Sequence, residues 1–186
     1  MKKTAKQGLC WAIAALCVAS AGQVGHAQGS DMNSQPKAGM SDDAKDARML
    51  IQTLSEEKTE IQALAAQQAA FRKLGGSENN RIARMFGVWI KQHKAGGPLL
   101  EKLIHTNGGN PAAAKILKAP VLGDREMMLK ATHKDHEAAV MTSQMRHGMT
   151  KDNAIKNAMR KRANLARKHI RQMKPYHKDM DKHGDM

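Results

Sequence analysis

Between residues 126 and 175 the hydrophobic pattern makes two conflicting demands. Positions 129, 133, 136, 140, 144 and 147 fall on one face of a helix by the three-and-four spacing, and they hold Leu129, His133, His136, Val140, Gln144 and His147. Polar side chains thus recur on a face expected to be dry. A second helical stripe follows, with Ile155, Met159, Ala166, His169, Ile170 and Met173 inward. Gly148 and a short turn separate the two, with Thr150 or Asp152 capping the second helix, and Pro175 ends or kinks it near Lys174. The segment predicts two helices folded back on each other, with imidazoles on the buried seam.

Upstream the pattern repeats this arrangement. Leu50, Leu54, Ile61, Leu64 and Phe71 mark a helix over 46–74, stopped by Gly75-Gly76, with Ser77 as the next N-cap. A second helix runs over 78–95 with Ile82, Phe86, Trp89 and Ile90 inward; Gly96-Gly97-Pro98 should kink or interrupt it before a continuation to about residue 104. Residues 105–124, with two prolines, form a link far longer than a helical hairpin needs. No strand pattern competes. Two hairpins joined by one long crossover predict an all-α, ferritin-like four-helix bundle over 46–175.

The two hairpins also match in detail. A shift of 76 residues lays Glu57 on His133, Glu60 on His136, Leu64 on Val140, Gln68 on Gln144, Ile82 on Ala158 and His93 on His169. Glu60 to His93 spans 33 residues, and so does His136 to His169. A duplicated hairpin would then bring one ionisable group from each helix to a common depth. Buried imidazoles need partners, and here the choices are one another, a carboxylate or a metal. Glu60, His93, His136 and His169 form an O/N donor set suited to a first-row ion such as Zn, Fe, Mn or Cu. Glu57 is an alternative to Glu60; His133 can replace His136 or support it from behind. The competing reading is a metal-free Glu–His cluster that serves packing, with Arg162 on an inner seam beside it. A di-iron oxidase is disfavoured, because Ile90 and Ala166 stand three residues before His93 and His169, where the Glu of Glu-x-x-His would be. No complete catalytic motif is present, and the chain reads as a non-enzyme.

Glu60 on the first helix, His93 in WIKQH, His136 in HKDHEAAV and His169 in ARKHIRQM resemble the pattern of a bacterial exported family of unknown function, described as outer-membrane proteins. The resemblance covers about residues 46–175 and implies a ferritin-like bundle, with no established reaction. His136, Ala139 and Met141 are also similar to an element of a second exported, His-rich family, although Met141 is displaced from its spacing.

Composition supplies an address. Lys2, Lys3 and Lys6, an apolar run over residues 8–24 and small residues around Ala19-Ser20-Ala21 or Gly25-His26-Ala27 read as a signal peptide over 1–27. Residues 28–45 are polar and aperiodic, a flexible leader. Both cysteines, Cys10 and Cys17, lie in the signal, which leaves no thiol or disulfide to the mature chain. Its removal takes three lysines and no acids from 31 basic and 17 acidic residues, a net charge of +11. A basic exported chain, in the periplasm or at the outer membrane, is drawn to anionic lipid or polysaccharide. Nucleic acid is disfavoured by compartment and by the scarcity of aromatic residues for base stacking. The 176–186 tail carries His177, Met180, His183 and Met186 at a repeat of three, a soft donor set for Cu(I). Met141, Met145, Met159 and Met173 read as core filler.

Overall fold

Four helices account for most of residues 41–176, the part of the chain that the computed structural model describes. They are α1 (Asp42–Leu74), α2 (Ser77–Thr106), α3 (Arg125–Met149) and α4 (Asn153–Met173), with short 3-10 turns at Pro111–Ala113 and Lys174–Tyr176. No strand occurs among the described residues. The expected signal peptide and the 177–186 part of the tail lie outside them, as does the leader up to residue 40.

Caps set the boundaries. α1 starts at Asp42, four residues before the apolar pattern does, because the Ser41 hydroxyl accepts the Ala44 N–H at 3.3 Å and Asp42 and Asp43 face the positive end of the helix. Gly75 and Gly76 turn the chain with φ of 70° and 78°, a conformation that a side chain disfavours. Ser77 is not the cap expected of it: Gly76 takes that position, without a side-chain hydrogen bond. Asp152 caps α4 by accepting from the N–H groups of Ala154 and Ile155.

α2 does not break at Gly96-Gly97-Pro98. It continues through Pro98 to Thr106. Gly97 has no Cβ to clash with the proline ring, this stretch faces solvent, and burial of Leu100, Leu103 and Ile104 just beyond it holds the helix on course.

The helices pack as two hairpins, α1 with α2 and α3 with α4; α2 rests on α4 and α1 on α3. The crossover, residues 107–124, runs along α1 and is pinned to it. Lys115 N–H donates to Ser55 Oγ (3.1 Å), Leu117 N–H to Thr59 Oγ1 (2.8 Å) and Gln67 Nε2 to the Val121 carbonyl (3.1 Å). It climbs α1 from Ser55 towards Gln67, so α3 begins where α2 begins, and there Arg125 meets Glu78 at 2.7 Å. α3 therefore runs parallel to α2 and antiparallel to α1. At its far end Thr150 donates to Asp46 at 2.8 Å.

The buried seam of α3 is displaced by about one position from the predicted one. Met128, Leu129, Thr132, His136, Ala139, Ser143 and Arg146 are buried, whereas His133, Val140 and His147 are half-buried and Gln144 is exposed. Thr132 is held inward by its hydrogen bond to Gln67 Oε1 of α1 at 2.7 Å, and Arg146 by a two-pronged pair with Glu56 at 2.6 and 2.7 Å. In α4, Ile155, Met159, Ala166, His169 and Met173 are buried as predicted, and Ile170 is half-buried.

Two apolar clusters result. One joins Leu50, Leu54, Leu103, Ile104, Ile155 and Met159; the other joins Phe71, Ile82, Phe86, Trp89, Leu129 and Met173. The ionisable seam residues lie in the layer between them.

Candidate metal centre

Each helix contributes to that layer. α1 supplies Glu57 and Glu60, α2 supplies His93, α3 supplies His136 and α4 supplies His169, and all five are buried. Ring nitrogens of the three histidines lie within 4.8 Å of one another, and Glu57, Glu60 and His93 form an overlapping group within the same limit. The internal repeat is visible here as geometry. His169 Nδ1 lies 2.8 Å from His136 Nε2, and His93 Nε2 lies 3.5 Å from Glu60 Oε1, so matched residues of the two hairpins make matched contacts.

Hydrogen bonding fixes which atoms face inward. His93 Nδ1–H donates to Glu57 Oε2, His136 Nδ1–H to the Thr132 carbonyl and His169 Nε2–H to Gln92 Oε1, each at 2.8 Å. The remaining nitrogens, His93 Nε2, His136 Nε2 and His169 Nδ1, then present lone pairs to one another and to Glu60 Oε1. His136 Nε2 stands 3.1 Å from that oxygen with no hydrogen to offer it. Glu60 Oε1 and His93 Nε2 are accordingly buried without a hydrogen-bond partner. Turning over the Gln92 carboxamide would let His169 Nδ1–H donate to His136, but would leave Glu60 Oε1 and His93 Nε2 unmatched. With His93 neutral, four lone pairs meet there, and only a proton on His93 Nε2 would relieve them without an ion.

The surroundings stiffen this arrangement. Trp89 stacks on His169 with ring centres 4.3 Å apart and planes 12° from parallel, and its Nε1–H donates to Gln172 at 2.8 Å. Both oxygens of Glu57 are in use, Oε2 on His93 and Oε1 on Arg162 Nε at 2.5 Å. Glu57 therefore stands behind His93, and Glu60 is the inward-facing carboxylate. Arg162 also reaches Ser143 Oγ at 3.1 Å and Glu56 at 3.3 Å, and Arg146 closes the chain of charges through Glu56 and Thr53.

Protonation follows these contacts. Burial drives His136 below its ordinary pKa, with Glu60 and the Thr132 carbonyl opposing it only in part. His169 is pushed down to about 2 by burial and by the neighbouring His136 and His93. Burial also works against a charged His93, but Glu60 and Glu57 outweigh it and raise its pKa. For Glu57, burial favours the neutral acid, yet the hydrogen bond and charge of His93, together with Arg162, bring it down to about 2. Burial disfavours the Arg162 cation as well; Glu57 and Glu56 overcome that and raise its pKa.

Other residues singled out in the sequence lie elsewhere. His133 is half-buried on the margin of α3, its Nδ1 3.7 Å from Glu137 Oε2, outside the cluster. His177, Met180, His183 and Met186 lie beyond the described residues. Missed by the sequence reading were Thr132, Gln92 and Trp89, which orient the rings, and the Glu56–Arg146 pair. Trp89 and Thr132 each sit one turn before a cluster histidine, at i−4, and that spacing was a usable signal.

Cavities of about 300 Å³ and about 290 Å³ reach the layer from two sides. One is bordered by Glu60 and the crossover residues Leu117 and Lys118, the other by His93, Gln92 and Leu99. An ion could arrive through either. No protein-family model, no curated protein and no solved structure matches the chain.

Proposed function

We propose that this chain is an exported, non-catalytic metal-binding protein, a ferritin-like bundle that holds one first-row ion through Glu60, His93, His136 and His169. The observation that carries the reading is the convergence of four buried lone pairs, with each ring N–H directed outward onto an acceptor. Metal-bound histidines have this outer arrangement, because the second N–H fixes the tautomer and makes the ligand nitrogen more basic. Three imidazoles and one carboxylate match four-coordinate Zn(II) best, with Fe, Mn and Cu as competitors. Glu57 is occupied by Arg162, which leaves no second carboxylate to bridge a pair of irons, and this supports a mononuclear site. Export, suggested by the N-terminal pattern, would make the role metal binding or stress tolerance in the cell envelope.

The test is elemental analysis of the protein purified without chelator or His tag, beside a His93→Ala/His136→Ala/His169→Ala variant. One ion per chain, lost in the variant, is the expected result. Absence of metal from both, even after reconstitution, would overturn the reading.

A second reading rests on the raised pKa of His93. A proton there can donate towards Glu60, making the cluster a structural polar layer, while the exposed Arg160, Lys161, Lys168 and Arg171 of α4 meet anionic lipid or polysaccharide. Metal-free protein with salt-sensitive binding to anionic vesicles would favour it.

A further inference from the structure

Methionine is ordinarily a buried side chain, and Met159 and Met173 of α4 are fully so. Met141 and Met145 of α3 are not core filler as the sequence suggested: they are 69% and 57% exposed, and Met149, the next residue at the same spacing, is 69% exposed. They recur every four residues, with a rise of about 6 Å from one to the next along the axis. The stripe lies on the solvent side of α3, away from the seam of Ala139, Ser143 and Arg146.

We propose that Met141, Met145 and Met149 form a thioether site for a soft monovalent ion, Cu(I), on the outer face of α3. Side chains at i and i+4 are neighbours on a helix surface, so the stripe offers two overlapping pairs with Met145 common to both. The unbranched methionine side chain, with three rotatable bonds, can bring two sulfurs onto one ion without moving the backbone. Thioethers select Cu(I) over harder ions, and both cysteines lie within the first 17 residues, so no thiol in residues 41–176 competes for it. The buried layer, with nitrogen and oxygen donors only, has the opposite preference. The chain would then sort ions by softness between a surface and an interior, and the surface site stands whether or not the interior holds metal.

Ag(I), a redox-inert stand-in for Cu(I), is the probe, titrated into the full chain carrying ¹³C-methyl methionine. Expected are shifts of the Met141, Met145 and Met149 methyl signals, with Met159 and Met173 unmoved. Met141→Leu/Met145→Leu/Met149→Leu, which keeps the face apolar and helical, should weaken the α3 site at least tenfold. Met145→Leu alone should weaken it more than Met141→Leu or Met149→Leu. Shifts confined to Met180 and Met186 would overturn the proposal and place the soft site in the tail. Unchanged Ag(I) affinity in the triple variant, or perturbation of the buried histidines alone, would overturn it equally.

Discussion

At the scale of single residues, the proposed centre rests as much on groups outside its four donors as on the donors themselves. Glu57 accepts from His93 with one oxygen and from Arg162 with the other, and so fixes the face that His93 Nε2 presents. Glu57→Gln can serve only one of these partners with its single carbonyl oxygen. Metal affinity should fall about 10- to 100-fold with all four donors intact, as for other outer partners of metal-bound histidine; competition with a chromophoric chelator measures it. His93 carries the pH dependence. Its pKa is raised in the folded metal-free protein, so it holds a proton below that value, and an ion must displace this proton to reach Nε2. Affinity should therefore fall as pH drops below the folded pKa of His93, by up to tenfold per unit, with up to one proton released per ion. His136 and His169, both lowered, add less to this dependence than His93 does. Calorimetry in buffers of different ionisation enthalpy counts the protons; a release unaffected by His93→Ala would contradict the assignment.

At the scale of elements, the sequence disclosed type and order better than register. Four helices, the turn at Gly75-Gly76 and the long crossover could be read from apolar periodicity and glycine. The α3 seam could not, because hydropathy cannot rank Thr132, Ala139 and Ser143 above Val140, and Arg146 is buried only through Glu56, 90 residues away. That Glu60, His93, His136 and His169 come together in one buried layer was legible because a repeat marks equivalent positions even where hydropathy is silent. Glu57 was ambiguous for the same reason: its helical position equally suits the layer, and its contacts with His93 and Arg162, 36 and 105 residues away, could not be read from spacing. The break expected at Gly96-Gly97-Pro98 was local propensity overruled by packing on either side of it. Gly96 and Gly97 have open space where a Cβ would project, and neither has a positive φ. Gly96→Ala should stabilise the fold by about 0.5–1 kcal/mol, a rise of a few degrees in Tm. Gly97→Ala should gain less or lose, since its Cβ would crowd the Pro98 ring. The crossover gives the opposite sign. Thr59→Ala strips the Leu117 N–H of its acceptor and should cost about 1–2 kcal/mol in urea unfolding.

Over the whole molecule, the polar layer divides what could have been one continuous apolar core. Phe71, Phe86 and Trp89 lie on one side of it, and Leu50, Leu103 and Ile155 on the other. Burying carboxylates and imidazoles costs free energy that hydrophobic residues of similar volume would not cost, and such replacements are often neutral or stabilising by about 1–4 kcal/mol. A Glu60→Leu/His93→Leu/His136→Leu/His169→Leu variant leaves Glu57 paired with Arg162, so it strands no charge. If the layer exists to hold an ion, this variant should equal or exceed the metal-free protein in stability and lose every response to added metal. The wild-type chain, by contrast, should gain about 2.7 kcal/mol when free metal reaches a hundred times Kd, and several degrees in Tm. Were the layer there to fasten the four helices together, the fourfold variant would unfold at lower urea than the metal-free wild type and metal would move neither. Parallel urea titrations of both proteins, with and without Zn(II), separate the two, because ion binding and helix fastening predict opposite signs for the same substitutions.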